Sequence, residues 1–201
     1  MGKIGLGCLA LVVVLVLIVG ISMAGTYNSL VTLGQETDKQ WSQVENQYQR
    51  RADLVPNLVA TVQGAAQFEK STLEAVTNAR ASVGRATVTQ GKAPTDPQAL
   101  AQFEAAQNQL GAALQRLLIV AEKYPELKAN QNFRDLQAQL EGTENRIAVA
   151  RRDYIASVQD FNTTLRTFPS VLWAQTVFRS IKPLVPFTAD SEAQAAPKVK
   201  F

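Results

Sequence analysis

The residues able to do chemistry fall into two similar clusters, Arg50-Arg51 with Asp53 and Arg151-Arg152 with Asp153, the second preceded by Glu141, Glu144 and Arg146. Guanidinium forks bind phosphate and carboxylate bidentately, so such a doublet can hold an acidic partner or a phospholipid headgroup. Arg50 and Arg51 are the contact candidates on this ground. The same residues also have a local reading. Arg50 and Asp53 stand three apart on one helical face and can pair there, while the Arg51 stem can cover apolar surface.

The chemistry that is missing is as informative. The 201-residue chain has no histidine and one cysteine, Cys8. This excludes His-based general base catalysis, zinc sites built from several Cys and His, an intramolecular disulfide and the Glu-x-x-His motif of di-iron bundles. An all-carboxylate metal or glycosidase site would need Asp or Glu within the apolar stripes described below, and those stripes carry none. The expectation is no catalytic residue, no metal and no cofactor. Lys and Arg number 20 against 17 Asp and Glu, a net charge of +3. The basic residues are scattered, which argues against nucleic acid as a partner.

The elements that must position these residues begin with an apolar run. No charged residue occurs between Lys3 and Glu36, and Ile4 to Ala24 is almost wholly apolar. As a helix, this run spans roughly 30 Å, the hydrocarbon thickness of a bilayer. A cleaved signal peptide is the rival, with Ser22-Met23-Ala24 as a loose cleavage site, but the run exceeds a signal core of about 7 to 15 residues. Leu6-Gly7-Cys8 looks like a lipobox, yet the apolar segment follows Cys8 where it should precede it, leaving Cys8 as a small apolar residue of the membrane helix. Lys3 lies on the amino-terminal side of the span, and the first basic residue beyond it is Lys39. The positive-inside rule then leans towards a cytoplasmic amino terminus and a domain outside.

Beyond the span the chain reads as helix throughout, rich in Ala and Gln and with strand alternation absent. Steps of three and four mark a stripe through Tyr27, Leu30, Gly34, Thr37, Trp41, Val44, Tyr48, Arg51 and Val55. A second runs through Leu100, Phe103, Gln107, Leu110, Leu114, Leu117, Ala121 and Tyr124. The third contains Phe133, Leu136, Leu140, Thr143, Ile147, Ala150, Tyr154, Ser157 and Phe161, continuing to Leu165 and Phe168. A weaker stripe, Leu58, Val62, Ala65, Leu73, Val76 and Val83, lies between Pro56 and Thr87. Narrow stripes of this kind suit coiled-coil-like packing. Trp41, Tyr48, Phe103, Phe133 and Phe161 are expected in the core, and Gln107, Thr143 and Ser157 as polar residues that set register.

Breakpoints are legible too. Asp96-Pro97 is an N-cap followed by proline at the first helical position, Pro125 divides two helices, Pro56 kinks or separates the first pair, and Pro169 ends the last long helix. Residues 170–183 form a short amphipathic segment whose Trp173, Arg179 and Lys182 suit a membrane interface, or a helix packed on the bundle end. After Pro183 the tail to Phe201 lacks periodicity and is expected to be flexible. The predicted fold class is all-α. An N-terminal transmembrane helix (1–25) continues into an antiparallel four-helix bundle (26–169), followed by a short amphipathic C-terminal helix (170–183) and the tail (184–201).

Three segments carry a resemblance to a known family. Tyr27 to Gly64, with Trp41-Ser42-Gln43-Val44-Glu45 and Arg50-Arg51-Ala52-Asp53-Leu54-Val55-Pro56, resembles the first signature of the LemA family. Tyr124 to Phe133 with Leu140 to Tyr154 is similar to the second, and Phe161-Asn162 with Phe168-Pro169-Ser170 to a third. The resemblance implies a bacterial, membrane-anchored helical protein, single-pass in the cell (inner) membrane, with a four-helix soluble domain and no known catalytic site. It also implies a domain on the cytoplasmic side, opposite to the charge reading.

The functional expectation is a membrane-anchored scaffold or interaction protein without catalytic activity. Its expected partners are the lipid bilayer, further copies of itself and an unidentified membrane protein. Gly20 and Ala24, four apart, allow close helix contact in the membrane. A ligand-sensing signalling bundle is the alternative, and an enzyme using carboxylates alone is the weaker one.

Overall fold

The apolar run and the first stripe are parts of one helix. In the computed structural model, which describes residues 2–64, 69–85 and 88–188, α1 runs unbroken over Gly2–Gln63. At 1.5 Å per residue its 62 residues extend about 93 Å. The remaining helices are α2 (Lys70–Val83), α3 (Pro97–Ala121), α4 (Pro125–Ala129), α5 (Gln131–Arg166) and α6 (Ser170–Thr176). No strand occurs among the described residues. The expectations for the side chains of Lys3 and Cys8, for Ala65 and for residues 189–201 lie outside the described residues.

Of the two expectations for Pro56, a kink or a separation, the separation does not occur; α1 passes through it. Proline removes the N–H that would bond the carbonyl four residues back, here Ala52. Arg80 of α2 supplies the missing donor, its Nε giving a 3.1 Å hydrogen bond to Ala52 O. The Pro56 ring also lies on the exposed face of α1, away from the core. Other boundaries follow the sequence signals. Asp96 caps α3 by accepting from Gln98 N at 2.9 Å, with Pro97 at the first position. Pro125 opens α4, and Asn130 caps α5 by accepting from Phe133 N at 3.3 Å.

α1 and α5 pack antiparallel, since Gly34 lies against Phe161, Tyr48 against Arg151 and Arg51 against Glu144. α3 runs in the direction of α1, meeting it at Trp41–Phe103 and Arg51–Gln107. α2 doubles back between them. Three apolar clusters stack along α1. Nearest the apolar end are Leu30, Phe161 and Leu165; Trp41, Val44, Tyr48, Phe103, Ile147 and Tyr154 form the middle; Val55, Leu58, Val76, Leu110, Leu114 and Phe133 form the far end. The five aromatic residues expected in the core are all buried. Gln107 and Thr143 are buried with them, whereas Ser157 is half-buried, its carbonyl accepting from Thr37 Oγ1 at 3.3 Å.

Two stripe ends differ from expectation. Phe168 is 79% exposed because α5 stops at Arg166, and Tyr27 is half exposed, touching only the ring of Phe178 at 5.4 Å among the described aromatic pairs. The larger correction concerns the segment after Pro183. Leu184 to Phe187 is not a free tail but a strap across the middle cluster. Asn162 clamps Leu184 twice, donating from Nδ2 to its carbonyl (2.8 Å) and accepting its N–H at Oδ1 (2.9 Å). Val185 donates to Pro94 O at 3.0 Å and accepts from the Tyr154 hydroxyl at 2.8 Å. Phe187 then stacks on Trp41, with ring centroids 5.8 Å apart. Extended backbone has no helical periodicity, so its bonds here come from α5 and the 88–96 loop and leave no trace in local sequence.

Candidate functional site

The two arginine doublets are split by the fold. Arg51 occupies a stripe position of α1, so its side chain enters the core and is only 4% exposed. Its Nη2 donates to Gln107 O (2.8 Å) and Oε1 (2.6 Å), its Nη1 to Glu144 Oε1 (3.0 Å), and its guanidinium lies 5.0 Å from the Tyr48 ring centroid. Arg51 is therefore not a surface contact for lipid or partner. Arg50 faces outward, and Asp53, its expected mate, accepts from Gln49 instead at 2.7 Å.

The second doublet behaves alike. Arg151 turns inward, pairing with Glu104 at 2.9 Å, donating to the Tyr48 hydroxyl at 3.3 Å and lying 4.2 Å over Phe187. Arg152 stays outside and pairs with Asp153 at 3.0 Å. Tyr48 is thus held between two arginines, one beneath its ring and one on its hydroxyl. The stripe position of Arg51 signalled its burial. Arg151 lies off the stripe, and nothing in the sequence marked its partners.

Carboxylates pin the loop before α3 onto α1. Asp38 accepts from Ala93 N at 2.8 Å, and Glu45 from Gly91 N at 2.9 Å. Gly91 has φ 73°, a left-handed conformation that glycine adopts without penalty. Burial pushes the Glu45 carboxyl above its ordinary value, outweighing the Gly91 N–H and the Trp41 indole, which pull it down. Burial likewise raises the Tyr154 phenol, with the Asp38 carboxylate adding to the effect. Beside Glu45 opens a groove of about 540 Å³ whose walls include Tyr48, Gly91, Phe103 and Gln107. No cluster of three or more metal-ligating side chains occurs among the described residues.

At the opposite end α6 packs beside α1. Trp173, read either as a lipid-interface residue or as part of a helix packed on the bundle end, takes the second course: it is half-buried and its Nε1 donates to Ser22 Oγ at 3.3 Å. Arg179 and Lys182 are exposed, with Arg179 Nε returning to Gln175 O at 2.8 Å. The apolar side chains left outward at this end are Phe168, Leu172 and Val177; Leu172 and Val177 belong to the amphipathic segment 170–183 read as suited to a membrane interface, whereas Phe168 was expected at the end of a core stripe. On α1 itself, Leu9 to Ile21 expose their large apolar side chains, and this helix is long and apolar enough to cross a membrane.

A family model described as the LemA family matches residues 40–201. The chain belongs to the LemA family. Curated relatives include Magnetosome protein MamQ 1 and Magnetosome protein MamQ 2 of Paramagnetospirillum magneticum, each 29% identical over 162 residues, covering 71% of this chain and 58% of the relative. Magnetosome protein MamQ of Magnetospirillum gryphiswaldense is 25% identical over 162 residues with the same coverage. The match thus spans under two thirds of those proteins' length. Together with the exposed apolar helix, the LemA relationship identifies a membrane-associated protein. The segments that resemble LemA signatures contain the structural devices described above. The first holds Trp41, Arg51 and the Pro56 bypass, the second forms α4 and carries Arg151, and the third carries the Asn162 clamp.

Proposed function

We propose that this LemA-family chain is a single-pass protein of the bacterial inner membrane that acts as a non-catalytic scaffold, self-associating and holding membrane partners. One observation carries the proposal: the apolar stretch of α1 and the core stripe of the same helix are continuous, so the helical domain is coupled rigidly to its anchor. A flexible linker would suit a tethered enzyme that samples its surroundings; a continuous helix suits an element held at fixed height and orientation. The inward arginines support the same reading, since Arg51 and Arg151 are engaged in internal pairs. The relatives described as magnetosome proteins agree with a place in an assembly.

Crosslinking in intact cells, followed by identification of what is captured, tests the proposal. Self-crosslinks and a reproducible membrane neighbour are expected. A full-length protein that runs as a monomer and captures no neighbour overturns it.

The groove beside Glu45 favours a second reading, ligand sensing between helices. A metabolite pool that raises the thermal midpoint of the parent chain but not that of Glu45→Gln would support it over scaffolding alone.

A further inference from the structure

Three features meet at the end of the molecule where α1 leaves the helical domain. Ser22, the hydrogen-bond acceptor of Trp173, lies two residues inside the end of the apolar run at Ala24, a rise of about 3 Å. On the same turn Ile21 is 74% exposed. One side of the last apolar turn therefore faces outward while the other is covered by α6. A helix in contact with that turn sits level with the edge of whatever bilayer the turn is embedded in.

The second feature is the outward face of this corner. Phe168, Leu172 and Val177 are exposed at the end of α5 and on and just after α6, next to a turn of α1 whose own apolar side chains are exposed. The Trp173–Ser22 hydrogen bond and the Tyr27–Phe178 ring contact hold this corner against that end of α1. The third is charge. Between Asp160 and Asp190 the chain contains no acidic residue but does contain Arg166, Arg179 and Lys182, all exposed. Apolar side chains beside basic residues with long stems match the boundary between acyl chains and headgroups, where the stems reach the phosphates.

We infer that Phe168, Leu172 and Val177 form a second membrane contact, inserted at the headgroup boundary of the same bilayer that α1 crosses, with Arg166, Arg179 and Lys182 at the phosphate level. The inference rests on the membrane-anchored reading of α1. Trp173, half-buried and bonded to Ser22, acts as the rivet that holds this corner to α1 and not as the lipid contact. The corner makes the anchor two-legged and adds a second constraint on the tilt of the domain beside that of the continuous α1.

The test uses full-length protein with Cys8→Ala in vesicles of phosphatidylethanolamine and phosphatidylglycerol, spin-labelled singly at Phe168→Cys, Leu172→Cys or Val177→Cys. Leu15→Cys serves as the anchor reference and Gln115→Cys as the water reference. Collision with dissolved oxygen relative to a water-soluble nickel complex reports depth. The expected result is a ratio at all three positions well above that at 115 and below that at 15. A ratio equal to that at 115, with position 15 in lipid, overturns the second contact and leaves the anchor standing. Shielding from both reagents together with spin–spin broadening assigns the patch to a second copy and overturns the lipid contact. A label at 15 exposed to water overturns the anchor reading itself. Far-UV circular dichroism confirms that each labelled chain is folded, and the three positions serve as replicates for one another.

Discussion

Arg51→Ala removes the one charged side chain on the α1 stripe and leaves its partners in unequal positions. Gln107 is 2% exposed, so its Oε1 loses a donor that water cannot replace, at a cost of about 1–3 kcal/mol. Breaking a buried ion pair costs about 3–5 kcal/mol when the remaining charge stays buried. Here the Glu144 side chain is 46% exposed and recovers water, which discounts that figure to its lower end or below. The expected net loss is about 3 kcal/mol, roughly a hundredfold in the folded-to-unfolded ratio. Arg51→Met with Gln107→Leu removes the polar pair and fills the volume, so it is expected within about 1 kcal/mol of the parent. Urea unfolding in detergent micelles, followed by the emission of the fully buried Trp41 and by circular dichroism, measures both variants. A loss below about 1 kcal/mol for Arg51→Ala would refute the buried placement. A double variant as damaged as the single one would refute the attribution to unsatisfied polar groups.

Arg80→Met is expected to cost about 1 kcal/mol in the parent and close to nothing beside Pro56→Ala, because a restored N–H at 56 takes over the Ala52 carbonyl. Additive effects in the double-mutant cycle would sink the bypass. Phe187→Ala should cost about 3 kcal/mol and shift Trp41 emission to the red, whereas loss of a side chain from a free tail would do neither. The raised Glu45 carboxyl means that the folded state holds its proton to a higher pH than the unfolded chain, so stability from this group falls as pH rises above its ordinary value of 4.5. Glu45→Gln, which keeps an acceptor for the Gly91 N–H, should therefore gain melting temperature relative to the parent as pH is raised. Scanning calorimetry that finds a pH-independent difference would contradict this.

The legible features were those written in neighbouring residues. The uncharged run Ile4 to Ala24 gave the exposed apolar helix, the three-and-four spacing gave Trp41, Phe103, Leu110, Ile147 and Tyr154 as core, and Asp96-Pro97 gave the start of α3. Pro56 was misleading because its damage is repaired by Arg80, 24 positions further along the chain. The candidate contact residues divided similarly. Arg51 sat on a stripe and went inside; Trp173 looked interfacial by composition, but the side it presents is set by its reach to Ser22, 151 residues away.

The sequence by itself determined helicity, the apolar span and the buried stripe of each long helix, because backbone hydrogen bonding within a helix and the 3.6-residue period are properties of consecutive residues. Tertiary structure alone decided that Arg151 and not Arg152 turns inward, how the Ala52 carbonyl is satisfied, that Leu184 to Phe187 closes over Trp41 and which face of α6 is left outward. Each of these depends on a donor, acceptor or ring delivered by a different element, and that delivery is fixed only when the helices pack.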